Sequence, residues 1–123
     1  MKAVASGCNV AYSSNHMGIC DNYRLDSSHP ICPAWSPSRD RIGQWIEVSC
    51  ENPKYWTGVI IQGGADNYWT SSTLIAYSLN GNNWSKINDG IPFVANNDAK
   101  TKKRINFPEA VYARTIRLYP ITW

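Results

Sequence analysis

Apolar and polar side chains alternate through much of the chain from residue 44 onward. In Gln44-Trp45-Ile46-Glu47-Val48-Ser49-Cys50, one side carries Ile46, Val48 and Cys50 and the other Trp45, Glu47 and Ser49, the period of two of a half-buried strand. Pro53 is expected to end it. Residues 57–62 are β-branched and apolar and predict a second strand, stopped by Gly63-Gly64. Thr73-Leu74-Ile75-Ala76-Tyr77-Ser78-Leu79 predicts a third, followed by Asn80-Gly81, whose positive φ angles suit a tight hairpin turn, with residues 84–87 as the return strand. Thr115-Ile116-Arg117-Leu118-Tyr119 alternates once more. Nowhere do apolar residues keep a period of 3.6 over ten or more positions, so the expected fold class is all-β, most simply a two-sheet β-sandwich.

The N-terminal third departs from this pattern. Residues 12–37 are rich in Ser, Asn, Asp, His and Pro and predict long loops held by packing or disulfides. The chain carries four cysteines, Cys8, Cys20, Cys32 and Cys50. Four cysteines permit three connectivities, and in so short a chain they point to an oxidising, extracellular compartment. With 123 residues there is room for one domain, 1–123, with a flexible N-terminus over 1–7. That N-terminus lacks the apolar stretch of about 7–15 residues of a signal peptide, which an exported parent would have lost. The run Val59-Ile60-Ile61 falls far short of the about 18–20 apolar residues of a membrane span, so a soluble domain is expected. Twelve basic and nine acidic residues give a net charge of +3, with one basic run, Lys100, Lys102, Lys103 and Arg104; this is too little for a nucleic-acid protein.

Taken in order, Ala34-Trp35, Gln44-Trp45-Ile46-Glu47-Val48, Thr57-Gly58-Val59-Ile60-Ile61-Gln62-Gly63, Trp69-Thr70-Ser71, Tyr77-Ser78-Leu79-Asn80-Gly81-Asn82-Asn83-Trp84 and the closing Ala113-Arg114-Thr115-Ile116-Arg117-Leu118-Tyr119-Pro120-Ile121-Thr122-Trp123 resemble the discoidin family, the coagulation factor V/VIII type C domains. Each block is weak alone; their joint order over most of residues 8–123 is specific. Cys8 and Cys50 sit where the chain is most similar to discoidin lectins of social amoebae. The resemblance implies an eight-stranded jelly-roll sandwich with a ligand site on loops, or spikes, at one end. It also implies binding of galactose-type sugars, anionic phospholipids, collagen or other proteins, without catalysis. Two departures limit it. Where the family commonly has Arg after the Gln-Gly of the third block, this chain has Gly64. The family also continues past its final Trp with a last strand ending in a cysteine that commonly pairs with the N-terminal one. This sequence stops at Trp123, so either it is a piece of a longer chain or Cys8 has another partner.

Candidate ligand residues follow from the loops. Gly63 to Trp69 offers Asp66, Asn67, Tyr68 and Trp69, the acceptor, amide and rings that hydrogen-bond sugar hydroxyls and stack on a sugar's C–H face. The competing reading makes Trp69 a core residue and Asp66-Asn67 a plain turn. Asn15 and His16 lie on the first spike, beside Met17 and Ile19, which either dip into a membrane or pack beneath the loop. Arg39 and Asp40 on the second spike either bracket a sugar or form a solvated ion pair. Lys100, Lys102 and Lys103 suit anionic lipid or sulfated glycan, or simply a solvated face. The resemblance makes calcium the candidate ion near Asp21, Asn22 and Asp26, although their spacing is not that of an EF-hand. Zinc at Cys20, His29 and Cys32 lacks an obvious fourth ligand. Asn83-Trp84-Ser85 is a formal glycosylation sequon in a turn, and Arg114 and Arg117 read as structural residues at the sandwich edge.

These readings converge on a non-catalytic lectin-like domain for a galactose or N-acetylgalactosamine glycan on a cell-surface glycoconjugate, extracellular and multivalent through oligomers or a multidomain parent. The alternative is a cell-adhesion or anionic-phospholipid membrane-surface module, with lipid or protein as partner. No GxSxG, HExxH, Walker or Rossmann pattern supports an enzyme.

Overall fold

The computed structural model describes the backbone of residues 2–3 and residues 8–14, 25–26, 35–38, 41–64 and 69–123. Among these are seven strands: β1 (Lys2–Ala3), β2 (Cys8–Tyr12), β3 (Ile46–Gln62), β4 (Ser72–Ser78), β5 (Ser85–Lys86), β6 (Phe93–Val94) and β7 (Lys103–Thr122). Every pairing is antiparallel.

β3 and β7 are the spine. They pair in three stretches, from Ile46↔Leu118 to Ser49↔Thr115, from Lys54↔Ala113 to Trp56↔Val111, and from Gly58↔Asn106 to Ile61↔Lys103, with register shifts between them. Such bulges bend a strand and increase its twist. Here they carry both strands round a corner, so each serves two layers. The first layer holds β2, the opening stretch of β3, the closing stretch of β7 and β4, with β5 and β6 on the far side of β4. The second holds β1, the end of β3 and the start of β7. Apolar positions of both layers share one core: Ile46, Ile75, Ile116 and Leu118 from the first, Ile61, Ile105 and Phe107 from the second, with Trp35 and Ile87 from the connections. The result is the all-β jelly-roll sandwich expected. Gly58 sits at the second register shift because the two strands approach there: a Cβ would lie 2.3 Å from the Ile105 carbonyl oxygen.

The corner defines one pole. Cys8 faces Cys50 there and is joined to it by a disulfide, the Cα atoms 4.3 Å apart. This gives Cys8 a partner inside the chain. At the opposite pole lie the end of β2, the start of β3 and β4, and the end of β7; the end of β3 and the start of β7 return to it from the second layer.

Several expectations need correction. Pro53 interrupts the ladder at the first bulge, but the strand continues to Gln62. The hairpin after β4 is longer than a two-residue turn, because its last pair is Tyr77↔Ser85. Gly81 has a φ of 80°, whereas Asn80 is not in the positive-φ region. Asn80 instead accepts through Oδ1 from the backbone N–H groups of Asn82 and Asn83, at 2.8 and 2.9 Å. The return strand is Ser85–Lys86, and Ile87–Gly90 forms a 3-10 turn. Lys2 and Ala3 pair with Gln62 and Ile61, while the rest of the 1–7 segment lies outside the described residues.

Candidate functional site

The pole opposite the disulfide gathers every long connection. Residues 13–45 join β2 to β3, residues 63–71 join β3 to β4, and residues 95–102 join β6 to β7, all leaving from this end. What fixes them is a set of polar side chains at their bases.

The first connection is anchored by serines and a glutamine. Ser13 N–H donates to the Trp45 carbonyl, and Trp45 N–H donates to Ser13 Oγ, at 2.9 and 2.8 Å. Both Ser13 Oγ and Ser14 Oγ donate to Oε1 of the buried Gln44. Ser14 Oγ also accepts from Ser38 N–H at 3.0 Å, and the buried Trp35 indole donates to the Ser14 carbonyl at 2.8 Å. Ser13 and Ser14 thus tie the start of the loop to its return, and Trp35 anchors the knot in the core.

Two buried amides fix the remaining loops. Gln62 ends β3: its Oε1 accepts from Asp26 N–H at 2.7 Å, and its Nε2 donates to the Lys100 carbonyl at 2.6 Å and to Asp26 Oδ1 at 3.3 Å. Asn96 donates through Nδ2 to the carbonyls of Ile61 (3.2 Å) and Thr101 (3.1 Å), while its own N–H donates to the Thr70 carbonyl at 2.9 Å. Residues 98–101 are shaped from within, with Asp98 accepting from the N–H groups of Lys100 and Thr101 and from the Thr101 hydroxyl. The bonds from Thr101 N–H, the Thr101 hydroxyl and Lys100 N–H hold the Asp98 carboxyl below its ordinary value.

The sequence candidates distribute unevenly over this frame. Asn15, His16, Arg39, Asp40, Asp66, Asn67 and Tyr68 lie outside the described residues, as do Met17, Ile19, Asp21, Asn22, Cys20, His29 and Cys32. Trp69 is half-buried where the 63–71 connection returns to β4. Lys100 and Lys103 are exposed; Lys102 is an ion-pair partner, its Nζ 2.6 Å from Asp26 Oδ2. The Asp26 carboxylate is therefore engaged on both oxygens, by Lys102 and Gln62, and is poorly suited to a cation. Among the described residues no group of three or more His, Cys, Asp or Glu could hold a metal ion. Asn83 is exposed at the other pole, its N–H held by Asn80. Gln44, Gln62 and Asn96 are supports that sequence reasoning does not single out; Gln44 and Gln62 enter it only as ends of predicted strands and members of family-like blocks, and Asn96 lies in a loop without alternation.

Arg117 is structural, but it sits on β7 between β3 and β4 rather than at the sandwich edge, and reaches this frame from the outer face of the first layer. Its guanidinium lies between the rings of Trp45 and Trp84, 3.9 and 4.0 Å from their centroids. It donates through Nε and Nη2 to Glu47 Oε2 and through Nη1 to the Tyr119 hydroxyl.

Residues 3–123 match the sequence profile described as the F5/8 type C domain. Discoidin-2 of Dictyostelium discoideum is 31% identical over 84% of this chain and 39% of its own. The structure of wild-type discoidin II from the same organism superposes with a TM-score of 0.83 at 27% identity, over 94% of this chain and 49% of that one. The chain thus spans no more than about half the length of these relatives. A Clostridium perfringens module, CpGH89CBM32-5, in complex with GalNAc-β-1,3-galactose, has the same fold, with a TM-score of 0.71 at 17% identity over 98% of this chain and 88% of its own.

Proposed function

The chain belongs to the F5/8 type C domain family, and on that premise we propose that it is a carbohydrate-binding module whose loop end takes galactose- or N-acetylgalactosamine-type glycans. The observation that carries this reading is the convergence of the three long connections on one pole, each fixed at its base by buried Gln44, Gln62 or Asn96. Rigid bases under variable tips are what a binding site on loops needs, because the ordering cost is met in folding rather than on binding. The GalNAc-β-1,3-galactose bound to the Clostridium module supports the sugar class. In this reading Asp66 and Asn67 accept and donate to sugar hydroxyls, Tyr68 or Trp69 stacks on the ring, and Asn15, His16, Arg39 and Asp40 complete the rim. The Cys8–Cys50 disulfide suits a secreted or cell-surface setting, and oligomers or a longer parent chain supply the avidity a single shallow site lacks.

A second reading has one observation in its favour. The same pole exposes Ile42 (67%), Val94 (76%) and Trp123 (56%) and also Lys100 and Lys103, an apolar and cationic mix that suits an anionic membrane surface. Retention on galactose–agarose separates the two. Elution by free N-acetylgalactosamine, with indifference to about 0.5 M salt that screens surface charge, supports the sugar site. Passage through the column with salt-sensitive binding to phosphatidylserine vesicles supports the membrane.

A further inference from the structure

The corner pole, remote from the loops, carries a feature that the proposed sugar site leaves unused. Tyr55 and Tyr112 face each other across β3 and β7, their ring centroids 4.9 Å apart and their planes tilted by 52°. Tyr55 is 73% exposed and Tyr112 48%. A cross-strand aromatic pair stabilises a sheet modestly, and this one also keeps both rings open to solvent, where a ligand could reach them. The pair lies just beyond the last rungs of β2 and β4, at Cys8↔Cys50 and Ser78↔Thr115.

Its flanks are cationic. Alternation along β7 places Arg114 on the same outward side as Tyr112, and both are exposed. On the other flank Thr57, two residues beyond Tyr55, accepts from Arg104 Nη2 at 3.4 Å, and Arg104 Nε donates to Asn106 Oδ1 at 2.7 Å. Lys54, next to Tyr55, alternates to the other side of β3, where its Nζ lies 3.9 Å from Cys8 Sγ. Among the described residues the ion pairs are Lys102–Asp26 and Arg117–Glu47, so neither arginine nor Lys54 is neutralised there, although Glu51 and Glu109 lie on the same two strands. A second copy docked by a two-fold axis would set arginine against arginine, which argues for an anionic occupant.

We propose that Tyr55 and Tyr112, with Arg104 and Arg114, form a second glycan site at the corner pole, for an oligosaccharide bearing sulfate or uronate groups. The two rings offer faces for sugar C–H groups and hydroxyls for its ring substituents. The Arg114 guanidinium fork suits sulfate or carboxylate, which it holds through paired charge-assisted bonds, while Arg104, whose Nε and Nη2 are turned to Asn106 and Thr57, adds positive charge and its remaining N–H groups. Such a site is independent of the loop-end reading and makes one chain a bridge between two glycans.

The test uses a heparin hexasaccharide, titrated calorimetrically against the wild-type chain and the variants Y55A/Y112A, R114A and K100A/K103A. The expected result is a loss of about tenfold or more in affinity for Y55A/Y112A, a shallower salt dependence for R114A, and little change for K100A/K103A, with galactose–agarose retention unaltered throughout. Amide shift mapping on the wild-type chain is the second arm and needs no variant to fold: perturbations should centre on 54–57 and 110–114. No heparin binding, shifts centred on 98–103 with loss in K100A/K103A alone, or equal affinity for a hexaglutamate peptide would each overturn the assignment.

Discussion

Replacing Arg117 with alanine should destabilise the domain by about 3 kcal/mol, and the structure supplies the parts of that figure. The guanidinium is stacked on both faces, against Trp45 and Trp84. Contacts of this type contribute about 0.5–1 kcal/mol each where partly solvated. Its bonds to Glu47 and Tyr119 are charge-assisted, of a class worth about 1.5–3 kcal/mol together with the cost of stranding a partner. The Arg117 and Glu47 side chains are 18% and 14% exposed, so water screens them in part and the lower end of that range applies. With an unfolding entropy of about 2.1 cal/mol/K per residue, a chain of 123 residues should lose about 12 °C in Tm. Urea unfolding with an unchanged m-value is the assay. Arg117→Lys keeps the charge but loses the planar stack and the fork, and should recover less than half of the loss. Because Glu47→Gln removes the same contact from the other side, the double variant should be less destabilised than the two single variants added. An Arg117→Ala chain within about 0.5 kcal/mol of wild type would reduce the stacked arginine to surface decoration.

Four further outcomes follow from single features. The Cys8–Cys50 disulfide closes a loop with a sequence separation of 42, so a C8A/C50A variant should unfold about 4 kcal/mol more easily in urea, on the chain-entropy account; an unchanged midpoint would contradict it. Gly58→Ala drives a Cβ into the Ile105 carbonyl, and since backbone must yield, about 2–3 kcal/mol should be lost by thermal denaturation. Gln62→Ala removes the buried amide that joins Asp26 and the Lys100 carbonyl to β3, and should raise amide exchange at 100–102 by about tenfold while leaving the core of β7 protected. Asp98 titrates below its ordinary value of 3.8, so its hold on Lys100 and Thr101 is complete above that pH and is lost as pH falls through the lower folded value; carbon-detected titration should show a midpoint under 3.8, and D98N should abolish the pH dependence of the Thr101 amide shift.

Sequence and structure agree best where burial is one-sided. Ile46, Val48 and Cys50, or Ile116 and Leu118, point to one core because a period of two leaves no other way to bury them, and the structure buries all five. The first stretch of β7 is hard to read because Lys103-Arg104-Ile105-Asn106-Phe107 has only two apolar residues and begins in a basic run, yet Ile105 and Phe107 are core. Pro53 misleads for a related reason. A proline ends a ladder, and the sequence does not say that a bulge can absorb it and let the strand resume. At the loop end, local sequence singles out aromatic and charged tips but not Gln44, Gln62 and Asn96, each of which has a partner 30 to 38 residues away, as in Ser14–Gln44, Gln62–Lys100 and Asn96–Ile61. Long-range polar contacts of this kind leave no periodic trace. Arg117 is legible as structural from its place in the last strand, but Trp84 as its second stacking partner requires the β4–β5 hairpin to fold back across the sheet.

The most direct test of the central claim is a glycan array probed with the purified chain, with and without calcium, beside a D66A/N67A variant. Selective binding to terminal galactose or N-acetylgalactosamine is expected, competed by the free sugar and lost in the variant, while thermal melting shows both proteins folded. A blank array from the cooperatively folding wild-type chain, or galactoside binding untouched by the double substitution, would contradict it.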